Sequence, residues 1–195
     1  MSADAAGGRA ELDWESLVEA GRDLWSAGLV TSHGGNLSLR GPGGGALISA
    51  TGAMLGRLTR ERLVAVDAAG RAQATSMPGG AAAPSSDTRI HVATYAACPD
   101  AGAIIHAHPV HAIAVAFHCD AIEPRNLEGR LFLGRVPILD VEWQESAEPV
   151  AAALVDCPIV MVRGHGAYAR GTDVWDALRV TSALEESAQI LSLLG

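Results

Sequence analysis

Asp87-Thr88-Arg89-Ile90-His91-Val92-Ala93-Thr94-Tyr95-Ala96-Ala97-Cys98-Pro99-Asp100-Ala101-Gly102-Ala103-Ile104-Ile105-His106-Ala107-His108-Pro109-Val110-His111 decides how this chain is read, together with the distant Gly164-His165-Gly166. Ala103-Ile104-Ile105 is short, apolar and partly β-branched, which predicts a strand running into His106 and His108. Residues i and i+2 of a strand point to one face, so the two imidazoles share a side. That spacing suits two ligands of a zinc-type site awaiting a third, and it suits equally well a pair of surface or hydrogen-bonded core histidines. Upstream, Ser85-Ser86 precede a helical stretch from Asp87 to about Cys98. Serine is a favourable N-cap and a carboxylate in the first turn complements the helix dipole, so Asp87 reads as a helix-start residue. The same serines at a helix N-terminus form a seat for a phosphate. Downstream, Pro109 is placed as a first helical residue, with a short helix from Val110 to Phe117.

The bulk properties narrow the function classes. A chain of 195 residues supports one domain, read here as 11–195 behind a frayed tail at 1–10. The formal net charge of −8 argues against nucleic acid and polybasic membrane contacts, and no apolar run approaches a membrane span. Met1 to Arg9 has no apolar core of a secretory signal, so a cytoplasmic location is expected. Cys98, Cys119 and Cys157 are scattered and odd in number, as for buried thiols rather than disulfides. Every basic side chain is arginine; there is no lysine. Schiff-base chemistry is therefore excluded, and any carbonyl chemistry needs a metal as its electrophile.

Glu11 to Leu29 shows the period of an amphipathic helix, with Gly28 near its stop. Leu37 and Leu39 alternate with Ser38 and Arg40 after a Gly34-Gly35 turn, predicting a strand. Ala46 to Ser49 and Leu63 to Val66 read as further strands, the second entering a hairpin at Asp67 to Gly70. Gln73 to Pro84 reads as a loop. A Val136-Pro137-Ile138-Leu139 strand, a helix from Ala147 to Val155 and a buried strand at Ile159 to Val162 follow. The last strand delivers Gly164-His165-Gly166, and Thr172 is placed as the cap of a final long helix. The glycine loops lack a Gly-x-Gly-x-x-Gly order, which disfavours a dinucleotide fold.

Taken in order, Gly35-Asn36-Leu37-Ser38-Leu39-Arg40, Ile48-Ser49-Ala50-Thr51-Gly52, Pro84-Ser85-Ser86-Asp87, His91 with Tyr95, His106-Ala107-His108-Pro109 and Arg163-Gly164-His165-Gly166 resemble the class II aldolase/adducin family. The resemblance spans about Leu12 to Leu191. It implies a single α/β domain of three layers, with a central, mostly antiparallel sheet flanked by helices. It implies a homotetramer with active sites at subunit interfaces. It also implies a divalent metal, Zn2+ first and Mn2+ or Co2+ as alternatives, on His106, His108 and His165. Asn36, Thr51, Gly52, Ser85 and Ser86 match the positions that hold the substrate phosphate. The implied reaction is reversible retro-aldol cleavage of a ketose 1-phosphate of the L-fuculose 1-phosphate kind, giving dihydroxyacetone phosphate and a small aldehyde, with Asp87 as acid and base.

The chain departs from the aldolase pattern in three places. Asp87 stands where the aldolases carry glutamate; its carboxylate sits back by one carbon–carbon bond, about 1.5 Å. The L-ribulose-5-phosphate 4-epimerase branch reads Ser-Ser-Asp-Thr there, like Ser85-Ser86-Asp87-Thr88, so Asp87 is either the base or a fourth metal ligand, and an epimerase is the second reading. No tyrosine lies between Tyr95 and Tyr168, and the tail that carries another is missing after Gly195. Glu128 occupies roughly the region of one family tyrosine and is a candidate acid from a neighbouring subunit. A third reading, a non-catalytic module like that of adducin, goes with loss of the metal histidines, which this chain keeps.

Overall fold

The structure of the chain, a computed structural model, describes residues 12–73 and 82–194. In chain order it forms α1 (Trp14–Ser26), β1 (Asn36–Arg40), β2 (Ala46–Ser49), β3 (Leu63–Val66), α2 (Thr88–Ala97), β4 (Ala103–Ala107) and α3 (Val110–Ala116). There follow β5 (Ala121–Ile122), α4 (Leu127–Phe132), β6 (Val136–Leu139), α5 (Ala147–Asp156), β7 (Ile159–Val162), β8 (Gly166–Gly171) and α6 (Val174–Leu194).

The strands join in one sheet of order β3-β2-β1-β4-β8-β7-β6-β5. Only β6 and β7 run parallel; every other neighbouring pair is antiparallel. Strand β4 lies inside the sheet, between β1 and β8. Its alternation sorts side chains by face: Ala103, Ile105 and Ala107 pack with α1 and the start of α6, while Ile104 packs with α2 and α5. Residue His106, two on from Ile104, shares that second face. Apolar residues of β6, β7 and β8 also meet α3 and α6. Helices thus cover both faces, as a sheet buried on two sides requires. This is the expected three-layer α/β fold with a mostly antiparallel sheet.

Several expectations shift by a few residues, for local reasons. Helix α1 is shorter at both ends than 11–29; Asp13 caps its start through the Ser16 amide, and Gly28 takes φ +70° just beyond its end. Pro109 stays extended (ψ 113°) and precedes α3 instead of opening it. The last helix is capped by Asp173, which accepts from the Asp176 amide at 2.8 Å, and not by Thr172. Neither Ser85 nor Ser86 occupies the cap position of α2; Asp87 does, and its carboxylate turns away from the helix amides. The tail at 1–10 lies outside the described residues, as does most of the 73–84 loop. No described helix is long and apolar enough to cross a membrane. All three cysteines are free; Cys98 is buried as expected, whereas Cys119 and Cys157 are only partly buried.

Candidate metal centre and active site

The candidate metal site is assembled at the join of β4 and β8. His106, next to last in β4, pairs in register with Tyr168 of β8. His108 follows two residues on, its amide donating to the Leu29 carbonyl at 2.8 Å. His165 sits in the tight β7–β8 turn, where its amide donates to Val162 O at 3.0 Å. Gly164 makes that turn with φ +70°, a conformation other residues rarely take. Gly166 is required for a different reason: a Cβ there would meet the Ala107 carbonyl and lie 2.7 Å from the His108 ring. Arg163 anchors the turn from outside through the Ala116 and Cys119 carbonyls and Asp140.

The three imidazoles converge. Each offers one ring nitrogen, and the three atoms lie within 4.8 Å of one another. Nε2 of His106 and Nε2 of His108 are 3.0 Å apart. His106 Nδ1 donates to the Ala167 carbonyl at 3.0 Å, which leaves Nε2 as a lone pair aimed into the cluster. Nδ1 of His165 is buried and has no hydrogen-bond partner among the described residues. A buried nitrogen left unpaired is destabilising unless something binds it. Nitrogen ligands of a tetrahedral zinc lie roughly 3.3 Å apart, so modest side-chain rotation suffices to close the set. The donor set therefore fits a divalent ion with a position left open. Burial lowers the pKa of His106, His108 and His165, with repulsion from the neighbouring imidazoles adding to it at His106 and His108, so all three are neutral and ready to ligate near pH 7.

Asp87 stands beside the cluster, its Oδ2 3.7 Å from His106 Nε2. Oδ2 accepts from Asn36 Nδ2 at 2.9 Å and from the Tyr168 hydroxyl at 3.0 Å; Oδ1 accepts from Trp143 Nε1 at 2.6 Å. Burial alone would raise its pKa, but the His106 imidazole and the Asn36 and Trp143 donors outweigh it and hold the carboxyl well below the usual range. Tyr168 stacks on His106 with ring centroids 4.2 Å apart, and burial beside Asp87 keeps its hydroxyl protonated. Trp143 is held from outside by Arg89, which stacks on the indole at 4.7 Å and donates to Gln144 O at 2.9 Å.

A cavity of about 330 Å³ opens over this group. Its lining brings together every site residue expected from the sequence: Asn36, Thr51, Gly52, Ser85, Ser86, Asp87, His106, His108 and His165. The Asn36 amide is engaged on both sides, by Asp87 and by His91, and the Thr51 hydroxyl donates to Pro84 O. Among the described residues no arginine lines the cavity. Glu128 lies elsewhere, exposed on α4. His111 pairs with Glu185 at 2.7 Å, and His118 lines a separate, larger cavity of about 730 Å³ that contains none of these groups. Three members escaped the sequence reading: Trp143, Tyr168 and His33, which also lines the cavity. Tyr168 was signalled weakly by its place two residues beyond Gly166; Trp143 lies in a loop with no period to mark it.

The family model for the class II aldolase and adducin N-terminal domain matches residues 15–192. A methylthioribulose-1-phosphate dehydratase from Pseudomonas paraeruginosa is 32% identical over 187 residues, covering 88% of this chain and 89% of that protein. A 3-oxo-tetronate 4-phosphate decarboxylase from Haemophilus influenzae is 30% identical over 190 residues, covering 92% and 87%. Among solved structures, L-fuculose-1-phosphate aldolase from Thermus thermophilus superposes with a TM-score of 0.82 at 34% identity, covering 93% of each chain. With the matching fold, the histidine cluster and a match over nearly its whole length, the chain belongs to the class II aldolase and adducin family.

Proposed function

We propose that this enzyme is a divalent-metal-dependent lyase that cleaves a ketose 1-phosphate by a retro-aldol reaction, releasing dihydroxyacetone phosphate and a small aldehyde. The observation that carries the reading is the hydrogen bonding of Asp87. A carboxylate has about four acceptor positions, two on each oxygen. Oδ2 has both filled, by Asn36 and Tyr168, whereas Oδ1 has one filled, by Trp143. The oxygen nearer the metal ligands is thus saturated, and the remaining acceptor position belongs to Oδ1. This supports Asp87 as a base over Asp87 as a fourth ligand.

In the cleavage direction Oδ1 takes the proton of the substrate's C4 hydroxyl. The C4 oxygen becomes an aldehyde, the C3–C4 bond breaks, and its electron pair moves toward the C2 carbonyl oxygen. His106, His108 and His165 would hold a divalent cation, which would supply Lewis acidity toward that oxygen. Zn2+ suits three imidazoles with an open position, and Mn2+ or Co2+ fit the same donors. Tyr168 and Asn36 keep the carboxylate from swinging, and Trp143 walls the cavity beside it. The phosphate rests on Ser85, Ser86, Thr51 and Gly52, small residues of the cavity lining, and not on the expected Asn36, whose amide is spent on Asp87 and His91. Exposed apolar side chains at Val110, Phe117, Leu127 and Leu131 support assembly with further copies, which we take to be a tetramer.

The dehydratase relative supports a second reading, loss of water from the same kind of ketose 1-phosphate, with Asp87 again moving the proton. Incubating the zinc-loaded protein separately with L-fuculose 1-phosphate, 5-methylthioribulose 1-phosphate and L-ribulose 5-phosphate divides the readings. Dihydroxyacetone phosphate release from either 1-phosphate supports the aldolase. A dehydrated diketone, or xylulose 5-phosphate with no cleavage, rejects it.

A further inference from the structure

From Asn36 in the cavity wall, four polar side chains run inward in single file. The Tyr95 hydroxyl is 2.7 Å from Ser38 Oγ, Ser38 Oγ is 2.7 Å from His91 Nδ1, His91 Nε2 is 2.7 Å from Asn36 Oδ1, and Asn36 Nδ2 is 2.9 Å from Asp87 Oδ2. Tyr95, Ser38, His91 and Asn36 are all buried, with His91 and Ser38 at 0% exposure. The file follows from two periods. Asp87, His91 and Tyr95 recur every four residues on one face of α2, a rise of about 6 Å per step. Asn36 and Ser38 recur every two on one face of β1, a rise of about 7 Å. The near match lets helix and strand interdigitate their polar groups.

The proton positions are fixed from one end. Asp87 is ionised and can only accept, so Asn36 must turn its NH2 toward it. Asn36 Oδ1 then faces His91 Nε2, which must carry the proton. His91 Nδ1 is left as a lone pair that accepts from Ser38 O–H; the Tyr95 hydroxyl, which also donates to the Ser38 carbonyl at 3.1 Å, closes the far end. From Ser38 onward every donor points toward the carboxylate. In the other tautomer His91 would present a lone pair to Asn36, the amide would reverse, and its oxygen would face the Asp87 oxygen.

We propose that His91 and Ser38 are positioning residues for the reaction: Ser38 holds His91 in its Nε2–H tautomer, His91 holds the Asn36 amide, and the amide sets the rotation of Asp87 that leaves Oδ1 facing the substrate. This rests on Asp87 being the acid and base of the proposed lyase. A row of buried polar groups is tolerated only when every member is satisfied, and an apolar filling of the same space would stabilise the fold at least as well. Burial also lowers the His91 pKa to about 4, so it stays neutral and the tautomer, not a charge, carries the information.

The test uses the full chain loaded with zinc, in the wild type and in His91→Phe, His91→Gln and Ser38→Ala. Glutamine keeps a donor toward Asn36; phenylalanine removes it at similar volume. On L-fuculose 1-phosphate or 5-methylthioribulose 1-phosphate, whichever the wild type turns over, kcat falls about 10- to 100-fold in His91→Phe, the loss expected when a bond to a charged group and its geometry go. KM and zinc content stay within about threefold of wild type, and His91→Gln recovers most of the rate. Equal rates in the Phe and Gln variants, or a loss confined to KM or to zinc content, overturn the proposal. A second readout needs neither turnover nor a variant that folds. ¹⁵N spectra of the wild-type imidazoles are expected to show His91 with a protonated Nε2 and a bare Nδ1, and Ser38→Ala to mix the tautomers. An Nδ1–H tautomer in the wild type overturns the positioning role, even if no ketose phosphate is ever cleaved. Correct tautomers with no turnover of any ketose phosphate count against the lyase reading alone.

Discussion

Replacing Asp87 with asparagine separates its chemical role from its structural one, and both magnitudes can be worked from the contacts. The amide keeps one oxygen and gains an NH2. Placed with its oxygen at the Oδ2 position it still accepts from Asn36 at 2.9 Å and Tyr168 at 3.0 Å, but its NH2 then meets the Trp143 N–H, where 2.6 Å now separates two donors. The reverse placement loses two bonds instead of one. The better placement forfeits one charge-assisted bond, about 1.5–3 kcal/mol, partly offset because no charge is buried any longer. A net destabilisation of about 1–2 kcal/mol is expected, small enough for the fold to survive. Catalysis loses its base, which general acid–base catalysis puts at about 10²- to 10⁴-fold in kcat. Urea unfolding gives the first quantity, provided the slope is unchanged, and steady-state kinetics of dihydroxyacetone phosphate release give the second. Zinc content is expected to be unaltered, because the proposal makes Asp87 the base and not a ligand. An Asn variant with kcat within threefold of wild type would refute the role of the carboxylate, and one that loses its zinc would refute the assignment of base over ligand.

Three further outcomes follow from named contacts. His91 is fully buried and held near pKa 4 against about 6.5 when unfolded, so the unfolded chain binds the extra proton between those values. Stability is then complete above pH 6.5 and falls as pH drops toward 4, by about 3 kcal/mol from this residue; the difference in unfolding free energy between zinc-free wild type and His91→Gln should shrink over that window, and a difference independent of pH would count against a buried neutral imidazole. Gly166→Ala forces a Cβ to 2.7 Å from the His108 ring; calorimetric titration should show zinc binding weakened at least tenfold, with about 1–3 kcal/mol lost in stability from overpacking. Ser86→Asp puts a negative charge in the cavity wall beside Thr51 and Gly52; KM for a ketose 1-phosphate should rise at least tenfold with zinc content unchanged, and an unaltered KM would move the phosphate elsewhere.

What the sequence made legible divides along physical lines. Strands β2, β3 and β7 are readable to the residue because they are short runs of apolar and β-branched side chains bounded by turns. His106 and His108 follow from the period of two on β4, although their purpose did not follow from spacing alone. His165 could be joined to them only through resemblance, since nothing local relates a turn at 164–166 to a strand at 103–107. Strand β8 went unread because Gly166-Ala167-Tyr168-Ala169-Arg170-Gly171 is low in bulk and begins and ends in glycine; its partners β4 and β7 make it a strand. With it went Tyr168, whose neighbour across the ladder is His106. Asp87 was visible as a helix-start residue, a role its carboxylate does not fill: three donors from β1, β8 and the loop at Trp143 draw it into the site. Tertiary hydrogen bonds to an ionised group outweighed the local pull of the helix amides.

The account rests on one ion held by three imidazoles. Elemental analysis of protein purified without chelator, repeated on His165→Ala, tests it most directly. His165 is one of the three residues whose ring nitrogens converge and is only partly buried, so its removal is expected to leave the fold intact while taking away a ligand. The expected result is close to one divalent ion per chain in the wild type, with zinc affinity lowered at least 100-fold in the variant. A wild type that carries no divalent ion and takes up none on titration, or a variant that binds zinc as tightly as the wild type, contradicts it.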